Sequence, residues 1–479
     1  MTSEQVLAHF REIMKIPRES GHEEHIIAYL QQFAERHNLD CKTDKAGNVL
    51  ITKPASPGRE GSPTIILQSH SDMVCEKNSG VEHDFSKDPI KAVIEDGWLI
   101  AKDTTLGADC GIGIAAQLAA LEDRDLEHGK MECLFTTSEE TGLDGAFALE
   151  KDFLTGKILL NLDSEDEGEL FIGCAGGVDT TARFHYMPEP ADKDRVFLKI
   201  GFAGGIGGHS GDDIDKGRSN AIRSIARSLY RIWNSFDIGL CCIDGGNKRN
   251  AIAREAFAVI AVKREDRNGI MESHTATAEE VKAEYGLTDP GISASISEVT
   301  DKPACAIDRD TAFRLICALN SVPHGVLAMS AEVKGLVETS TNLASVKMAE
   351  NNTIRIGTSQ RSSINSARKF ASEMVEAAFV SAGAKVTHES EYPGWRPSMK
   401  SRILETCRES YRRLFGKDPV VRAIHAGLEC GLFLDKYPDL DMISFGPTLR
   451  GVHAPGERLE LASLDKFTLL LEDVIRSCR

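Results

Sequence analysis

Apolar residues recur at helical spacing from the first turn of the chain. Val6, Phe10 and Met14 fall on one face of a segment running from about residue 3 to Ile16, and Pro17 stops it. The four residues Ser20-Gly-His-Glu23 have the spacing of a capping box, which predicts a second helix burying Ile26, Ile27, Leu30 and Phe33. Residues 48–51 read as a strand, and a Pro/Gly/Ser-rich loop covers 54–63. Beyond it, short apolar runs alternate with helical patterns: TIILQ (64–68), GIGIAAQLAALED (111–123), MECLFTT (131–137) and KILLNL (157–162). That alternation predicts an α/β domain around a mostly parallel sheet.

The character of the chain changes at MPEPADKD, near residue 187. A strand pattern at 196–205 precedes a helix at 219–233, and strand patterns at 326–335 and 343–349 precede a helix at 362–383. Two such stretches suggest a faint internal duplication within an α+β insert. The Pro/Gly-rich EYPGWRP (391–397) returns the chain to α/β character, with a helix at 402–414, strands at 420–424 and 441–446, and a closing helix from about Ser463. The reading is one discontinuous α/β domain, residues 1–187 and 391–479, with a smaller domain of residues 188–390 inserted between its halves.

A length of 479 residues agrees with two or three domains. Lys and Arg number 56 against 73 Asp and Glu, and the net charge of −17 repels phosphate backbones and anionic headgroups. Neither nucleic acid nor membrane is expected as a partner. The twelve cysteines contain no C-x-x-C pair, which suits reduced thiols. No run approaches the roughly 18 uncharged apolar residues of a membrane span, and the charged N-terminus lacks the apolar core of a leader. A cytoplasmic location is the expectation.

Four strand-like runs share one feature: each leads into metal-capable side chains at its carboxyl end. TIILQ runs into His70 and Asp72, MECLFTT into Glu139 and Glu140, KILLNL into Asp163, and DMISFG through a short loop to His453. Asp109, ahead of the 111–123 helix, is placed to join them. Open parallel sheets gather ligands beyond the carboxyl ends of their strands, so these distant residues can converge. Two imidazoles and five carboxylates suffice for a pair of divalent cations, a general base and a carboxylate that orients a ligating His. Taken singly, each residue is better explained as a solvated or structural group. The repeated placement after a buried strand, where an unpaired charge is costly, favours the metal reading. GIGIAA mimics a dinucleotide fingerprint, but a polar TTLGADC precedes it instead of a strand, so it reads as helix packing. HEEH (22–25) lacks zincin spacing and reads as solvated polar residues, and GGHSG by itself reads as a flexible glycine loop.

The H-S-D, L-G-A-D and E-E segments, with Asp163 and His453, resemble the co-catalytic metallopeptidases of the aminoacylase/carboxypeptidase type. HDFSKDPI, TTLGAD, GLDGAF, GCAGG, GGHSG, YPGW and HAGLECG are similar to the cytosolic non-specific, or Xaa-His, dipeptidase branch of that family. The resemblance implies an α/β di-metal hydrolase domain with an inserted lid, and dipeptide hydrolysis by a metal-activated water. It implies two divalent ions, zinc first with cobalt or manganese as alternatives, held by His70, Asp109, Glu140, Asp163 and His453 with Asp109 shared. Glu139 would be the general base, Asp72 the residue orienting His70, and His209 in GGHSG the stabiliser of the oxyanion. Asn250, Arg361 and His425 would hold the small peptide substrate, and the lid could form a homodimer. An aminoacylase or deacylase on the same ions, and a non-catalytic peptide-binding relative, remain the alternatives. Relatives carry Asn after the bridging Asp, in a cis peptide, where this chain has Cys110.

Overall fold

The computed structural model describes residues 1–192 and 194–479, which divide into two compact units. The first comprises Met1–Cys174, Trp395–Ala423 and Leu428–Arg479, and the second Ala175–Gly394 with Ile424–Gly427. The composition change near 187 therefore lies inside the second unit. The strand Gly176–His185 precedes that change, and it is held by pairing along its length with Thr353–Ser362 in the second unit's sheet.

Among the described residues, the first unit is built on an eight-stranded sheet. Its centre is parallel, as the alternation requires: Ile65–His70 lies between Met131–Thr136 and Ile158–Asn161, and Asp441–Ser444 follows on the far side. The flanks are antiparallel, with Asp40–Thr43 and Val49–Lys53 on one side and Glu169–Cys174 on the other. The sheet is thus mixed, and the strands that carry the candidate ligands form its parallel centre. The helix Ala108–Glu122 is apolar almost throughout, and nearly every residue of it is buried. Gly113 lets it approach the sheet: a Cβ there would stand 2.9 Å from Ser69 Cβ and 3.1 Å from the Leu162 carbonyl oxygen. A separate four-stranded sheet includes the hairpin Leu449–Arg450 and Arg458–Glu460, whose loop holds His453.

Two local expectations need correction. The first helix ends at Ile13, not Ile16. The second spans Glu24–Arg36 without a side-chain cap, because both halves of the expected capping box are engaged elsewhere. Ser20 Oγ donates to Asp72 and the Glu23 carboxylate accepts from Ser138. Glu23, in the segment read as solvated, is 6% exposed.

The second unit contains the duplication, in a frame different from the expected one. One β-α-β-β-α-β series runs Val196–Ala203, Ala221–Ser235, Ile238–Gly245, Ala256–Val262, Arg267–Tyr285 and Ser293–Glu298. The other runs Gly176–His185, Arg309–Ser321, Val337–Ala349, Thr353–Ser362, Asn365–Ser381 and Lys385–Tyr392. Each has the strand order 4-1-3-2, and the two join where Ile238–Gly245 meets Val337–Ala349 antiparallel. The first series is threaded into the first strand-to-helix connection of the second. A two-stranded ladder, Pro188–Pro190 with Cys305–Ile307, closes the insertion point. The helices at 219–233 and 362–383 are therefore not equivalent members of the two copies.

Candidate metal centre

The sequence-predicted ligands of the first unit meet in one place. His70 ends its buried strand, and its Nε2 stands 2.9 Å from Asp109 Oδ1 and 3.3 Å from Asp163 Oδ1. The other Asp109 oxygen, Oδ2, lies 3.0 Å from His453 Nε2, which is 2.8 Å from Glu140 Oε1. Asp109 thus divides its two oxygens between two imidazoles, each of which also faces a second carboxylate. A ring nitrogen carries at most one proton, so one N–H cannot serve both oxygens around it. A cation at each position satisfies all the donors. Asp163 Oδ1 is buried without a hydrogen-bond partner, which points to the same conclusion. Nitrogen with carboxylate oxygen is a donor set suited to Zn²⁺, Co²⁺ or Mn²⁺.

The carboxylates set the protonation of the imidazoles. Burial alone would lower the pKa of His70, but the negative charge of Asp163 and the adjacent carboxylates of Asp109 and Asp72 raise it well above its ordinary value. Hydrogen bonds accepted by the Asp109 and Glu140 carboxylates push His453 up to about 11. A field that favours a proton this strongly favours a dication at the same spot. Burial, reinforced by Asp163, Glu429 and Glu140, raises Glu139 well above the carboxylate range although nearby His70 opposes it.

Asp72 ties the parts together. Its Oδ1 is 3.3 Å from His70 Nδ1 and accepts from Glu139 N–H at 3.0 Å, while Oδ2 accepts from Ser20 Oγ at 2.7 Å and Glu140 N–H at 3.2 Å. Burial opposes its ionisation, but these donors bring its pKa down to about 2. Glu23 anchors the same turn by accepting from the Ser138 N–H and hydroxyl, both at 2.8 Å.

Two buried charged residues that sequence reasoning missed hold the loop before Asp109. Glu457 Oε2 accepts from Leu106 N–H at 2.7 Å and Gly107 N–H at 3.0 Å, and Oε1 accepts from Ala108 N–H at 2.8 Å. Arg18 donates to the carbonyls of Ser71, Asp72 and Gly107. A Cβ on Gly107, which has φ 68°, would stand 2.5 Å from Arg18 Nη2, so only glycine fits there. The Asp109–Cys110 peptide bond is cis. A third omission is Glu429, which is 1% exposed and accepts from Gln68 Nε2 and Thr136 Oγ1. Arg18, Glu429 and Glu457 carry no periodic sign of burial, and only Glu429 falls inside one of the motif strings, HAGLECG.

The other four predicted residues lie in the second unit and cluster there. Ser210 N–H donates to the Asn250 carbonyl at 2.8 Å, bringing Asn250 beside the His209 loop. His425 Nε2 lies 2.8 Å from Ser340 Oγ, and Ser340 is paired with Arg361 across adjacent strands. Gly211 separates the two histidines: a Cβ on it would stand 2.3 Å from the His425 carbonyl oxygen and 3.1 Å from His209 Cε1. Burial first, and then Arg361, push His425 down to about 4, so it is neutral at pH 7.

A model of peptidase family M20/M25/M40 matches residues 66–477. The chain is 41% identical over 470 residues to the cytosol non-specific dipeptidase of Escherichia coli (strain K12), covering 98% of this chain and 96% of that protein. The aminoacylhistidine dipeptidase of Vibrio alginolyticus aligns in structure with a TM-score of 0.94 at 39% identity, covering 99% of this chain and 96% of that one. The aminopeptidase PepT of Bacillus cereus aligns with a TM-score of 0.59 at 17% identity, over 100% and 99% of the two chains, a likeness of fold alone.

Proposed function

The chain belongs to peptidase family M20/M25/M40, and from that premise we propose that it is a metal-dependent dipeptidase that hydrolyses unblocked dipeptides, Xaa-His among them. The observation that carries this reading is the division of Asp109 between His70 and His453, the arrangement a bridging carboxylate needs. The full-length likeness to two dipeptidases supports the substrate class.

In this reading His70, Asp109 and Asp163 hold one divalent ion, and Asp109, Glu140 and His453 the other. The ions, zinc being favoured by the nitrogen–oxygen donors, supply Lewis-acid polarisation of the scissile carbonyl and acidify the attacking water. Glu139 takes a proton from that water and returns it to the leaving amine. Asp72 fixes the tautomer and angle of His70 and, through two N–H groups, the turn that presents Glu139 and Glu140. Arg361 suits the free carboxylate of a dipeptide, for which its planar fork is shaped. His209 is assigned the developing oxyanion, and Asn250 and His425 the substrate's polar groups. The second unit, which holds these four residues, is assigned the roles of lid and homodimer surface. The cytosol is the assigned location. No helix among the described residues is long and apolar enough to cross a membrane.

Metal content and hydrolysis of an Xaa-His dipeptide, measured before and after chelation, test the reading. Activity should vanish with the metal and return on adding Zn²⁺, Co²⁺ or Mn²⁺, and N-acyl-histidine should be a poor substrate. Glu139→Gln should keep its metal and lose about 10²–10⁴-fold in kcat. Full turnover by metal-free protein would defeat the assignment.

A further inference from the structure

The thiol of Cys110 lies where the His70 position can use it. His70 Nε2 and Asp163 Oδ1 are already adjacent, and one donor atom each from His70, Cys110 and Asp163 lies within 4.8 Å of the other two. Cys110 and His70 are each 1% exposed, and the Asp163 side chain is 9% exposed. Asp163 Oδ1, buried without a hydrogen-bond partner, is the independent sign that something cationic belongs among them. Tetrahedral donors around zinc stand about 3.3–3.6 Å apart, from bond lengths of roughly 2.0–2.3 Å. Closing the triad onto an ion therefore needs side-chain movement on the order of 1 Å.

Building on the di-metal reading above, we propose that Cys110 is a ligand to the ion held by His70, Asp109 and Asp163, giving that position one nitrogen, two oxygens and one sulfur from the protein. The position at His453 keeps three protein donors and an open place. Binding is a proton exchange without redox change. The S–H proton, now donated to the Leu162 carbonyl at 3.3 Å, leaves to solvent as the sulfur–metal bond forms. The two positions then differ in taste. A thiolate favours zinc, cadmium or cobalt over manganese or magnesium at the first, and carboxylates with one imidazole leave the second less selective.

The test uses Co²⁺ as both metal and reporter, on the full chain. Wild-type protein titrated with one equivalent should show a near-ultraviolet thiolate-to-cobalt charge-transfer band. Cys110→Ala and Cys110→Asn should bind Co²⁺ with visible d–d bands but without that band. The preference for Cd²⁺ over Mn²⁺, read by competition with a chelating dye, should fall at least about tenfold in both variants, the size that even loss of an outer partner produces. Bound cobalt without a charge-transfer band in the wild type overturns the thiolate while leaving the di-metal reading intact. A band that persists in both variants, or an unchanged cadmium preference, also overturns it. Failure to bind cobalt at all defeats the di-metal reading and this proposal together.

Discussion

Replacing Glu457 by Gln removes one acceptor oxygen from a carboxylate enclosed by backbone N–H groups. In the least damaging orientation the remaining oxygen serves Leu106 and Gly107, and the new amide faces Ala108 N–H, donor against donor, at a separation that was 2.8 Å. One buried N–H and one amide hydrogen then lack partners, each costing about 1–3 kcal/mol. The total of about 2–6 kcal/mol falls on the loop that presents Asp109. At 1.4 kcal/mol per factor of ten, its local opening should become at least about thirtyfold easier. Hydrogen exchange followed by mass spectrometry over the peptide spanning Leu106–Asp109 reads this directly, with the exposed Glu4→Gln as control. Metal affinity should fall as well, because the ions would have to order Asp109 themselves. A Glu457→Gln protein whose exchange there matches the wild type would refute the claim that Glu457 holds the bridging ligand in place.

Asp72→Asn leaves a donor facing Ser20, the Glu139–Glu140 turn or His70, so metal affinity should drop about 10–100-fold in a chelator competition; an unaltered affinity would show that His70 needs no orienting partner. Arg361→Met should raise KM for a free dipeptide by roughly ten- to hundredfold, the loss of a charged hydrogen bond, and leave a C-terminally amidated dipeptide unaffected; equal losses on both substrates would remove the carboxylate role. His324, whose Nδ1 accepts from Leu343 N–H at 3.1 Å, is pushed down to about 3 by burial and Arg223. Unfolding lets it take up a proton below its ordinary pKa of 6.5, so its contribution is steady above that value and stability falls as the pH drops toward 3. Between pH 6 and 4, His324→Gln should flatten the wild-type loss by about 1.4 kcal/mol per pH unit in denaturant unfolding of the second unit, and parallel curves would count against it.

Periodicity marked the central strands of the first unit and several of the helices, and strand ends followed by acids and imidazoles marked the candidate ligands. Those signals are local: a buried strand must be apolar, and a charge after it must be explained. The resemblance carried by the motif strings added roles for Glu139, Asp72 and His209 that spacing could not give. Tertiary structure decided how Asp109 turns, that its two oxygens part toward His70 and His453, and that Arg18, Glu23 and Glu457 are buried beneath the ligands. Nothing in a sequence separates a solvated glutamate from one enclosed by N–H groups, because the enclosing groups come from residues up to 351 positions away. The duplication was legible only as a faint echo, since one copy is threaded through the other and equivalent elements stand at unequal intervals along the chain. Hydrophobic pattern fixes what each segment is; which donors end up facing one another depends on how the sheets bring distant segments together.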